Sequence, residues 1–113
     1  MMFASHERDI RLSDTGIQLI YFYDSSTIFH RTAINCMNIL ENQNNTKCLA
    51  IDLEYFQNQS KRFDVRVLPT FILFKNGNEF GRIENEFTEQ AFKNTFGDIC
   101  IETQQMEIKY DER

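Results

Sequence analysis

The stretch Val65-Arg66-Val67-Leu68-Pro69-Thr70-Phe71-Ile72-Leu73-Phe74-Lys75-Asn76-Gly77 carries the fold of this chain. Its proline is the sole one in 113 residues and stands at the mouth of an apolar run. Proline lacks the amide that a sheet ladder needs, so it belongs at the start or edge of a strand. Phe71-Ile72-Leu73-Phe74 reads as that strand, and Asn76-Gly77 is a strong signal for a tight hairpin turn, because both residues tolerate positive φ. Glu79 to Ile83 then returns as the antiparallel partner.

Working back toward the N-terminus, Ile17 to Tyr23 (Ile-Gln-Leu-Ile-Tyr-Phe-Tyr) is a nearly continuous β-branched and aromatic run, the pattern of a central strand covered on both faces. Asp24-Ser25-Ser26-Thr27 offers capping side chains for a helix start. Phe29, Ala33, Cys36, Met37 and Leu40 follow at i, i+4, i+7, i+8 and i+11, which predicts one apolar helix face. Glu41 to Lys47 reads as an Asn-rich loop, and Cys48 to Leu53 as a second buried strand. Strand, helix and strand make a βαβ unit with parallel pairing and a right-handed crossover. Glu54 to Phe63 reads as a short helix. Thr88 is placed to cap a last helix with Ala91, Phe92, Thr95 and Phe96 inward and Gly97 at its C-terminal cap. The polar lead-in, residues 1 to 16, reads as a short helix or strand.

This order, with Leu-Pro-Thr ahead of an apolar strand and Lys75-Asn76-Gly77 at the hairpin tip, resembles the thioredoxin family over about residues 17 to 97. The implied fold is α/β and thioredoxin-like: a central mixed sheet of about four strands, a βαβ unit plus an antiparallel hairpin, flanked by helices. One domain over 1–113 is expected, with a C-terminal extension at 98–113. The resemblance further implies a cis Leu68–Pro69 bond, with the Leu68 amide and carbonyl presented to an extended partner segment.

The family's reactive Cys-x-x-Cys falls on Thr27-Ile28-Phe29-His30, where neither thiol exists. Its buried proton-transfer acid falls on Tyr21, and the lysine facing that acid falls on Cys48. Losing nucleophile, resolving thiol and acid together implies a redox-inactive member that is not an enzyme. Phosducin-like proteins are similar in the Val-Leu-Pro-Thr segment and in lacking the paired thiols.

Composition narrows the function classes. Seventeen acidic residues against 12 Lys and Arg give a formal charge of −5, which argues against nucleic acid and anionic membranes as partners. Lys61, Arg62 and Arg66 form the one basic group near the proline. No apolar run approaches the ~20 residues of a membrane span, and the charged N-terminal stretch does not read as a secretion signal, so an intracellular setting is expected. The three Cys, at 36, 48 and 100, have neither disulfide-framework nor zinc-site spacing. Cys36 and Cys48 read as buried small hydrophobes and Cys100 as a tail residue. His30 lacks spaced partners for a metal site and reads as a surface or capping side chain. Period-2 alternation of Ile99 and Ile101 and of Met106, Ile108 and Tyr110 reads either as a strand that joins the domain's own edge or a partner chain, or as a loose acidic tail.

The resulting expectation is an interaction module with no cofactor and no metal. It would contact a protein partner through Thr27, Ile28, Phe29, His30, Val67, Leu68 and Pro69. A thiol oxidoreductase using a displaced Cys is the competing expectation.

Overall fold

The computed structural model describes residues 1–44 and 46–95. Its sheet has five strands: β1 (Met2–Phe3), β2 (Ile17–Tyr23), β3 (Lys47–Asp52), β4 (Thr70–Lys75) and β5 (Asn78–Glu84). The helices are α1 (His30–Asn44), α2 (Gln59–Arg62) and α3 (Glu89–Thr95). The spatial order is β1-β3-β2-β4-β5, with β1, β3 and β2 parallel and β2-β4-β5 antiparallel.

Both faces of this sheet are covered, which is why its central strands read as unbroken apolar runs. Leu19, Tyr21, Cys48, Ala50, Phe71 and Leu73 point to one side, against Ala33, Met37 and Leu40 of α1 and Phe92 of α3. The intervening Ile20, Phe22, Leu49, Ile51, Ile72 and Phe74 point to the other, against Ile10, Phe63 and Val65. The alternation follows from the two-residue period of a strand.

The lead-in does more than precede the sheet. Met2–Phe3 supplies the fifth strand, a 3-10 turn spans Glu7–Asp9, and Ile10 is buried in the second core cluster. Asn76 and Gly77 have φ of 51° and 83°, the signature of a type I′ hairpin, and Asn76 Oδ1 accepts a hydrogen bond from Gly16 N at 2.8 Å. A bulge between Leu73 and Phe74 shifts the β4–β5 register and leaves Phe80 two-thirds exposed.

Several expected boundaries move. The first long helix begins at His30, and Phe29, expected on its apolar face, is instead exposed with φ 62°. The helix continues to Asn44 through most of the expected loop, and Glu41 Oε2 accepts from Cys48 N at 3.0 Å, drawing its last turns onto β3. Residues 54–63 contain one helical turn, Gln59–Arg62, preceded by turns. Thr88 caps α3 through Ala91 N to Oγ1 at 3.0 Å. Phe92 packs edge-on to Phe71 and Phe87, whereas Thr95 is exposed, off the side that faces those rings. The expectations for Phe96, Gly97, Cys100 and the 98–113 extension lie outside the described residues.

Candidate functional site

The C-terminal ends of β2 and β3 and the N-terminal end of β4 bring the expected site residues to one end of the sheet. Phe22 pairs with Ile51 and Thr70, so the loops that follow Tyr23 and Asp52 and the turn preceding Thr70 adjoin. Leu53 N donates to Tyr23 O at 2.9 Å, and Ser25 donates to Glu54 Oε1 from both its amide (2.9 Å) and its hydroxyl.

Thr27 does not cap α1. Its hydroxyl accepts from Asp24 N at 3.0 Å, its amide donates to Asp24 O at 3.1 Å, and Asp24 Oδ1 accepts from Ser26 N at 2.9 Å. The capping side chains thus close a turn upon themselves, and the first helical bond runs from Ala33 N to Phe29 O at 3.0 Å. Phe29 sits where a Cβ is unwelcome: left-handed backbone is uncommon for non-glycine residues and an outlier for bulky ones.

His30 departs from the surface or capping role. It is half-buried, its Nδ1 shares a 3.0 Å hydrogen bond with the Tyr21 hydroxyl, and its ring lies 4.5 Å from Tyr23 and 5.6 Å from Tyr21 between centroids. Tyr21 in turn stacks on Phe71 at 4.7 Å. Burial, then the neighbouring Tyr23, pushes the Tyr21 hydroxyl up and keeps it protonated through the neutral range. With Tyr21 donating, a neutral imidazole carries its proton on Nε2. Tyr21, Tyr23 and His30 thus form an aromatic group closed by a hydrogen bond at the start of α1. The sequence holds a signal for this pairing, two aromatics flanking a six-residue turn, but helix periodicity does not report it.

Val67, Leu68 and Pro69 lie in the turn before β4, and the Leu68–Pro69 bond is cis. Thr70 Oγ1 donates to Val67 O at 2.7 Å, and Asn85 N donates to Pro69 O at 2.8 Å. Among the described residues the Leu68 amide and carbonyl form no hydrogen bond. A cavity of about 270 Å³ lies beside the turn, lined by Leu53, Val65, Val67 and Leu68 and by the polar Gln57, Ser60 and Arg66.

The thiols lie elsewhere. Cys48 is buried, its Sγ donating to Met37 O at 3.4 Å, and burial pushes it up to about 12. A thiol so held is a poor nucleophile at neutral pH. Cys36 is half-buried against the same cluster. No group of three or more His, Cys, Asp or Glu converges among the described residues. Of the basic group, Arg62 donates to Ile10 O at 3.0 Å and Arg66 pairs with Asp64 at 3.2 Å, and the two line a cavity of about 540 Å³ together with Arg82 and the acids Asp64, Glu79 and Glu84. No helix among the described residues is long and apolar enough to cross a membrane.

A doubly covered mixed sheet with a βαβ unit, a hairpin and a proline turn at the site end defines a thioredoxin-like fold. Solved structures that it is similar to include thioredoxins. A Plasmodium falciparum thioredoxin in oxidised form matches with a TM-score of 0.72 and 11% identity over 82% of this chain and 91% of that one. A Halobacterium salinarum thioredoxin variant gives 0.68 and 22% over 82% and 84%. An Entamoeba histolytica thioredoxin variant gives 0.61 and 26% over 73% and 80%. No protein-family model matches the chain, and no curated protein matches it significantly.

Proposed function

We propose that this chain is a non-catalytic thioredoxin-fold module that binds a protein partner through the Thr27–His30 loop and the Val67-Leu68-Pro69 turn, in an intracellular setting. The observation that carries this reading is the Tyr21–His30 hydrogen bond at the helix start. Disulfide exchange needs a thiolate there, where the helix terminus lowers its pKa, and residues 24 to 31 contain no cysteine. What remains open at this end is backbone and apolar surface: the unpaired Leu68 amide and carbonyl suit strand-like pairing with an extended segment.

The similar structures favour a second reading, because they are named as thioredoxins. Under it, Cys36, Cys48 or Cys100 would carry thiol exchange. A disulfide-reduction assay with dithiothreitol as electron source separates the two. The wild-type chain is expected to give no turnover above dithiothreitol alone. Turnover that vanishes in a folded Cys36→Ser, Cys48→Ala, Cys100→Ser variant would replace the non-catalytic reading with the enzymatic one.

A further inference from the structure

Ile28, Phe29 and Tyr55 are 73%, 63% and 80% exposed, and none belongs to either core cluster. Ile28 and Phe29 follow the turn closed by Asp24, and Tyr55 follows Glu54. The Ser25 to Glu54 bonds stitch those two loops together, so the three side chains share one end of the molecule. Single exposed apolar residues are ordinary, whereas a group of large ones on adjoining loops marks a contact surface.

The charge around this surface is mainly acidic. Asp24, Asp52 and Glu54 all lie on the two stitched loops or at their strand ends. Hydrogen bonds from Ser26 hold the Asp24 carboxyl below the usual carboxylate range, and those from Ser25 do the same for Glu54, so both are anionic at neutral pH. Against these acids stand Arg31, exposed on the first turn of α1 two residues from Phe29, and Arg66, which pairs with Asp64 and lines the cavity that reaches Leu53.

We propose that the Ile28–Phe29–Tyr55 surface binds a partner-protein segment in which Lys or Arg alternates with apolar side chains. The apolar residues would cover Ile28, Phe29 and Tyr55, and the cations would face Asp24, Asp52 and Glu54, a complementarity that selects partners by sign. This inference rests on the non-catalytic reading above and names its partner class.

The test is an NMR titration of the isotope-labelled full chain with a synthetic peptide that alternates Lys with Leu. Peptides alternating Glu with Leu and Lys with Ser serve as comparators. The Lys–Leu peptide is expected to shift the Ile28, Phe29 and Tyr55 amides, to weaken with added salt, and to bind at least about tenfold more tightly than either comparator. Phe29→Gly removes the ring at a backbone angle that glycine adopts freely, so the variant folds at least as stably as wild type while losing about tenfold or more in affinity. Asp24→Asn with Glu54→Gln keeps acceptors for both serines and should weaken the Lys–Leu peptide specifically.

Equal binding of the Glu–Leu peptide, shifts confined to other surfaces, or unchanged affinity in these folded variants would overturn the proposal. An absence of peptide binding together with an absence of disulfide turnover would sink this inference alone. Thiol-dependent turnover would sink the underlying reading, whatever the peptides do.

Discussion

At the scale of single residues, the site end is governed by one hydroxyl and one imidazole. Tyr21 is fully buried in the sheet and reaches His30 across the turn that separates β2 from α1. Tyr21→Phe keeps the ring stack on Phe71 and deletes only the hydrogen bond. Urea denaturation of that variant should show a loss of about 0.5–1.5 kcal/mol, the net worth of a typical internal hydrogen bond. His30→Ala should lose more, about 1–3 kcal/mol, because it strands the hydroxyl of buried Tyr21 without a partner. An equal or smaller loss would mean that water replaces the imidazole. This pairing is the part of the site least legible in sequence. The family resemblance puts Tyr21 at an acid's position and His30 at a thiol's, and says nothing of a contact between them. Their meeting depends on how Asp24, Ser26 and Thr27 hydrogen-bond among themselves, which a helix-capping pattern describes equally well.

At the scale of elements, Arg82 ties the hairpin to the segment that leads into the proline turn. Its guanidinium grips Glu79 bidentately at 2.8 and 2.7 Å and donates to the Phe63 and Asp64 carbonyls, each at 2.9 Å. Charge-assisted bonds of this kind are the stronger ones. Arg82→Leu should cost about 1.5–3 kcal/mol and raise amide exchange across residues 63–69. Arg82→Lys, unable to reproduce the fork, should fall between that variant and wild type. Unchanged exchange in 63–69 would show that the turn holds itself.

The central strands β2, β3 and β4 are legible because each alternates between two buried faces, so Leu19 and Tyr21 serve one core cluster while Ile20 and Phe22 serve the other; β1, two exposed residues long, carries no such pattern. The start of α1 is not legible. Phe29 lies at the right spacing from Ala33 and Met37 to count as core, yet a left-handed backbone turns the chain before the helix begins. Apolar periodicity carries no information about the sign of φ. Local preference makes the Asn-rich run after Leu40 a loop, and the Glu41 contact with Cys48 N outweighs that preference.

For the molecule as a whole, the titrating groups set a window of stability. The Asp24, Glu54 and Glu79 carboxyls are held below their ordinary values by donors from Ser26, Ser25 and Arg82 respectively. The unfolded chain therefore binds protons more readily than the folded one, and their contribution is present above the ordinary carboxylate range and lost as pH falls through the folded values. Cys48 shifts the other way, from 9.0 up to about 12, and burial raises Tyr21 and Tyr23 as well. Between those two Cys48 values the unfolded chain is the more deprotonated, so stability declines as pH rises. Urea midpoints measured across pH should form a plateau that drops on both flanks. Cys48→Ala should flatten part of the alkaline side, and an unaltered profile in that variant would refute the assignment. The outermost strand has its own whole-molecule consequence. The bulge at Leu73/Phe74 kinks β5 along its free margin, and Glu79, Arg82 and Glu84 place charge there. Such a border is a poor template for annealing to a copy of itself, which guards a Phe-rich chain against growing into fibrils.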